Sequence, residues 1–310
     1  MNIQSIFNLG LLFFSILSLG AMSGYFSERA GIVNIGINGT MTFGALFYCI
    51  FAGLINGGKF GSLGNESFLL PMLLAMICSP IIGLLFGYAT IKLKANHIIA
   101  GTGINILGAS LGMFLTNPLG TAIMGTEELR NPYIGYMPIG GTASSFYGTT
   151  LIIFFLVVVL IVTLYLIMKY TKFGLRMISI GENPNAADSQ GINVYNFQWK
   201  GLIISSCLAG LAGAIFMYRS PNVSFIGDVD GLGFLALAIM ITGAWRIPLI
   251  SVASFVFAIL LGISRQSIPS VSNDLLLIIP YAFSLVALIL FSKKIKGPKN
   301  AGNNFDKTKR

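Results

Sequence analysis

The residues of this chain that could do chemistry are few, and their types suit binding and solvation better than bond making. There is one histidine, His97, and there are three cysteines, Cys49, Cys78 and Cys207, all within or at the edge of apolar runs and irregularly spaced. Metal sites need clustered His, Cys and carboxylate ligands, and acid–base catalysis needs a titratable pair within hydrogen-bond reach. The pattern supplies neither, so no catalytic residue, metal or cofactor is expected, and the cysteines read as small core residues. GLINGGKF, Gly53 to Phe60, mimics a phosphate-binding loop through its glycines and Lys59. It fails at Phe60, where a Ser or Thr hydroxyl must hold magnesium, and it closes an apolar run instead of joining a strand to a helix.

More informative are amides and hydroxyls set inside apolar runs. In SERAGIVNIGINGTMTFGALF, Ser27 to Phe47, helical spacing puts Ser27, Gly31, Asn34, Asn38 and Thr42 on one face. A second such face joins His97, Gly101, Asn105, Gly108, Gly112 and Thr116. An amide in a membrane is costly unless it bonds across a helix interface or faces a water-filled cavity. Both readings are open; the expectation carried forward is a lined passage with Ser27, Asn34, Asn38 and Asn105 on its wall. His97 follows Lys94 and reads as interfacial rather than as a proton relay, because Asp228, Asp230 and Asp274 all fall near span ends. Glu28 and Arg29 belong at the membrane edge, where Ser27 could cap a helix start; a broken helix fits equally well.

Composition says which elements position these residues. Apolar residues make up 55% and charged residues 9% of the 310, and mean hydropathy is +0.83, so the chain lacks the polar cover of a soluble domain. Nine apolar segments, near 5–26, 39–57, 68–91, 97–117, 148–168, 201–218, 232–245, 247–264 and 274–292, predict an all-α polytopic membrane protein of about nine transmembrane helices, eight to ten. The net charge of +9 then concerns orientation and not nucleic acid. Lys92 and Lys94, the polar island 169–200 and the basic tail 293–310 fall inside, the C-terminus is cytoplasmic, and the stretches 56–67 and 118–147 fall outside. Residues 1–292 form the transmembrane domain. The N-terminus lacks the basic region and cleavage site of a signal peptide, so it counts as the first span. A faint likeness between the Gly-rich approaches to the second and seventh spans hints at an inverted repeat.

The island KYTKFGLRMISIGENPNAADSQGINVYNFQWK, Lys169 to Lys200, is too polar for lipid and too short to fold alone, which suits a loop that holds a soluble partner. With it, SERAGIVNIGINGTMTFGALF, ISSCLAGLAGAIFMY and GLGFLALAIMITGAW resemble, in order and over nearly the whole chain, permease subunits of bacterial ABC importers of the ribose and branched-chain amino acid type. The likeness is nearest to nucleoside permeases that work with a basic-membrane-protein type lipoprotein. It implies a multi-pass subunit of the bacterial cell membrane, a second permease, a distinct paralogue in most such systems, an ATPase with two nucleotide domains, and a substrate-binding lipoprotein. It also implies that the island is the ATPase-coupling segment, with Gly174, Arg176, Gly181, Glu182, Asn183, Ala187 and Gly191 as its working residues. Asn183 or Asn185 would cap a short helix and Gly191 would turn the chain back. At Asn38 the sequence departs from the family, which often has Glu there. The other readings are a simple-sugar or branched-chain amino acid permease, or a secondary carrier, which would need carboxylates within its spans.

Overall fold

The computed structural model describes residues 3–57, 61, 63–133, 148–218, 224–265, 273–291 and 297–307. Residues 134–147 of the 118–147 stretch, the end of GLINGGKF and parts of the basic tail lie outside the described residues. Among the described residues twelve α-helices follow one another: α1 Ile3–Arg29, α2 Ile37–Asn56, α3 Leu69–Cys78, α4 Pro80–Gly87, α5 His97–Leu119, α6 Gly148–Tyr170, α7 Lys172–Glu182, α8 Pro184–Ser189, α9 Val194–Tyr218, α10 Leu232–Thr242, α11 Ile247–Ser264 and α12 Asn273–Phe291.

Among the described residues, seven helical stretches are long and apolar enough to cross a bilayer, and two shorter ones, Leu232–Thr242 and Ile278–Ile289, complete the apolar set. The nine segments of the sequence therefore all return as helices, with two differences. The third span is two helices, because Pro80 has no N–H to give Met76 and its ring crowds the preceding turn. The seventh is only the 11-residue α10, about 16 Å long, half of a hydrocarbon core. Its start at Gly231 (φ +67°) is reached through irregular chain from Ser224, which runs beside the far half of α5: Thr116 Oγ1 donates to Phe225 O (3.4 Å).

At the centre stand α1, α2 and α9, with α11 and α10 packed on α1, and α5 and α3 packed on α2. α5 and α6 lie at the periphery and show most of their surface. Lipid removes the hydrophobic drive between helices, so small residues let backbones close up and hydroxyls tie them. Ser23 of α1 and Ser205 of α9 share a hydrogen bond of 2.9 Å. At Gly20 a Cβ would lie 2.8 Å from Ala236 Cβ, so α10 can approach α1 only because that side chain is missing. The three cysteines are free, Cys49 buried and Cys78 and Cys207 partly so, which is the core role expected of them.

Candidate functional site

The site is built where α1 ends. α1 runs unbroken through Ser27, whose hydroxyl donates to Gly24 O (3.0 Å), so Ser27 does not cap a helix start as the sequence suggested. The helix stops two residues later because Gly31 takes φ +90°; the Gly31 N–H returns to Glu28 O (2.9 Å) and that of Ile32 to Ser27 O (2.9 Å). Residues 32–36 then run without helical bonds before α2 starts. An irregular backbone at this depth needs partners from elsewhere. Asn105 of α5 supplies two: its Oδ1 accepts from Gly39 N–H (2.7 Å) and its Nδ2 donates to Ile35 O (3.1 Å). Asn38 Oδ1 accepts from the Gly233 N–H at the head of α10 (3.1 Å), and its Nδ2 reaches the Asp228 carboxylate at 3.4 Å. Asn34 is buried. The single helical face expected for Ser27, Gly31, Asn34, Asn38 and Thr42 is thus interrupted, since α1 ends at Arg29 and α2 begins at Ile37, and in this conformation Ser27, Asn38 and Asn105 spend their side chains on contacts within the bundle.

Close backbone contact fixes the geometry. A Cβ on Gly101 would stand 2.8 Å from Gly36 N, and one on Gly39 would stand 2.7 Å from the Ile104 carbonyl carbon, so α5 lies directly against the broken stretch.

Against the same end of α1 sits the polar island, folded as α7 and α8. Thr171 caps α7 by accepting from Gly174 N–H (3.4 Å), and a Cβ on Gly174 would meet the Met168 backbone, so the α6–α7 corner requires glycine. Asn183 caps α8, its Oδ1 accepting from Ala186 N–H (3.1 Å), with Pro184 in the first turn. Ala187 is buried, and the chain turns back at Gly191 with φ +78°. These features match the sequence expectation for the segment. Arg176 and Glu182 point outward, Glu182 forming a 3.6 Å ion pair with Arg29.

Sequence reasoning missed the rest of this corner. Trp245, in the turn between α10 and α11, donates from Nε1 to the buried Glu28 carboxylate (2.7 Å), and its carbonyl accepts from Arg29 Nη2 (3.0 Å). Arg29 also lies 5.6 Å from the Tyr25 ring centre. A buried carboxylate needs such partners. The only advance signal was the ER pair itself, which has no business at the end of an apolar run unless something satisfies it. His97 lies at the first position of α5, buried in the protein, and donates from Nε2 to Asn304 Oδ1 (2.8 Å), in the C-terminal tail.

At the opposite end of the bundle, Arg265 pairs with Asp230 (2.6 Å), whose carbonyl also accepts from Tyr281 OH (2.7 Å). Glu128 accepts from the Ser224 hydroxyl and pairs with Arg130 (3.4 Å); these partners hold its carboxyl below the usual range. Among the described residues no cluster of His, Cys, Asp or Glu could hold a metal ion.

Known proteins place this arrangement. Residues 6–291 match the family described as the permease component of a branched-chain amino acid transport system. A nucleoside ABC transporter permease protein, NupC of Lactococcus lactis, is 35% identical over 312 residues, covering 96% of each chain. A guanosine ABC transporter permease protein, NupQ of Bacillus subtilis, is 31% identical, covering 97% of this chain and 96% of its own. An uncharacterized protein of Mycoplasma genitalium is 40% identical over 94% of both. No solved structure matches. A helical, multi-pass chain, aligned end to end with such subunits and carrying a capped polar segment against a broken pair of spans, belongs to the permease family of ABC transporters, whose members work with ATPase and substrate-binding partners.

Proposed function

We propose that this permease carries nucleosides inward across a bacterial cell membrane, driven by a separate ATPase with two nucleotide domains and fed by a substrate-binding lipoprotein. The observation that carries the reading is likeness over 96% and 97% of the chain to two permeases named for nucleosides. The second permease is a distinct paralogue, and the chain has no ATP site of its own.

In this reading α7–α8 and the C-terminal tail are cytoplasmic, as the flanking lysines require. The ATPase grips α8 through Asn183, Asn185 and the surface around Gly191, and α7 passes the movement to α1 through Gly181 and the Glu182–Arg29 pair. Gly181 suits this role because a Cβ there would come 2.7 Å from Arg29 O. The passage runs beside the broken stretch and is shared with the second permease. Ser27, Asn34, Asn38 and Asn105 act on it: the Asn105 amide ties the Ile35 carbonyl and the Asn38 amide ties the head of α10 in this state, and the four side chains offer donor and acceptor groups to ribose hydroxyls and a base edge in the other. Transport follows only if the ATPase binds the two states with different affinity.

The experiment is ATP-driven uptake by the reconstituted complex of both permeases, ATPase and lipoprotein. Labelled guanosine or uridine should accumulate, and unlabelled ribose or leucine should not compete. Uptake of ribose or leucine with no nucleoside uptake would overturn the substrate and favour the sugar or amino acid reading.

A further inference from the structure

The C-terminal tail read from sequence as a cationic stretch, yet residues 297–307 are GPKNAGNNFDK, with one aromatic, three asparagines and a carboxylate. That composition suits folded contact better than attraction to lipid, and although Lys299, Gly302, Asn303, Asn304 and Lys307 are exposed, contacts to the bundle recur from Gly297 to Lys307. Gly297 lies flat on Trp245; a Cβ there would be 2.9 Å from the indole. The Asn300 N–H donates to Gly181 O of α7 (3.0 Å), and the Gly302 N–H donates to Gly31 O in the broken connection (3.2 Å). Asn304 donates to Lys94 O (2.7 Å) while accepting from His97 at the head of α5. Phe305 is buried, its ring 5.3 Å from that of Tyr195 on α9. Asp306 pairs with Lys94 (2.8 Å), whose ammonium it holds above the usual lysine range, and Lys307 reaches Asp188 of α8 (3.4 Å).

Eleven residues thus touch α7, α8, α9, the α10–α11 turn, the α1–α2 break and the start of α5. α8 has six residues, too few to hold its place alone, and a force applied to it would be lost in the Asn183 and Gly191 turns unless something stiffened them. The tail does this with several bonds at once: an ion pair to α8 itself, backbone bonds to α7 and the α1–α2 break, and the Asn304 and Asp306 side chains on Lys94 and His97 before and at the head of α5. We propose that residues 297–307 are a clasp that makes α8, the α1–α2 break and the head of α5 move as one body when the ATPase engages α8. The inference rests on the assignment of α7–α8 as the coupling segment and adds a second mechanical connection from α8 to the passage.

The test uses the full complex with the permease ended after Lys296, and, as a milder change, Asn304→Leu, which removes the ties to both Lys94 and His97. Both should keep the ATPase in the purified complex and keep hydrolysis running, while uptake and lipoprotein-stimulated hydrolysis fall about tenfold in the truncation, a size typical of coupling between sites, and severalfold in Asn304→Leu. Spin labels at Ser189 and Thr102, both exposed, report the same event without any cargo. In the full chain their separation should stay constant between nucleotide-free and ATP-bound states, and in the truncation it should change. Unaltered uptake and stimulation in both variants would overturn the clasp. So would loss of the ATPase from the truncated complex, which would make the tail a docking surface, or a label separation that shifts with ATP in the full chain. Failure of the nucleoside reading would look different: the unmodified complex would not accumulate nucleosides, while the label distances would still answer.

Discussion

Asn105→Leu separates two accounts of the polar stripe. In the structure this side chain accepts from Gly39 N–H at 2.7 Å and donates to Ile35 O at 3.1 Å. Gly39 is in the first turn of α2, so its N–H has no partner within the helix. Leucine fills a similar space and is tolerated by lipid and by helices, but it strands both backbone groups. Hydrogen bonds between membrane helices are worth about 0.6 kcal/mol on average and up to about 1.7, so losing two should cost about 1–3 kcal/mol. At about 2–4 °C per kcal/mol, thermal denaturation of the purified permease should move down by roughly 2–12 °C. Asn105→Asp keeps the acceptor for Gly39 N–H, which the dipole of α2 favours, but turns the donor toward Ile35 O into a second acceptor, so it should also fall. An unchanged melting temperature for Asn105→Leu with uptake abolished would refute the tie and make Asn105 a cargo contact alone.

Two further outcomes follow from the coupling segment and the topology. Gly191→Val forces a β-branched residue into φ +78° and should cost about 1–3 kcal/mol locally, while Glu182→Lys breaks the 3.6 Å pair between a half-exposed carboxylate and the largely buried Arg29 and sets a like charge there, for about 1 kcal/mol. Both should lower transport and ATPase stimulation with the lipoprotein's own affinity unchanged, and normal stimulation in both would return the segment to a plain surface loop. Single cysteines at Ser189 and Thr126, both exposed, should be labelled from the cytoplasm and from outside respectively; labelling of both from one side would overturn the orientation drawn from Lys and Arg.

Local chemistry was legible in the sequence wherever a residue's consequence depends on its near neighbours. Apolar runs became helices, Asn183 before Pro184 became a cap, and glycine at 191 became a left-handed turn, because hydrophobic length, a side-chain oxygen three residues from an N–H, and a missing Cβ act within one turn of chain. The order of the family's segments was legible for the same reason. Only the tertiary structure decided where the polar side chains go. Asn105 could have faced water or a neighbour; it faces the Ile35 carbonyl because Gly36, Gly39 and Gly101 let α2 and α5 close on each other. Glu28 meets Trp245, 217 residues away, and Asn304 meets His97, 207 residues away. The α10 span came out half-length because its approach packs along α5 instead of extending the helix. Helical spacing states which face a group occupies, but the partner on that face is set by which distant segment the packing of small residues admits, and that is a property of the whole bundle.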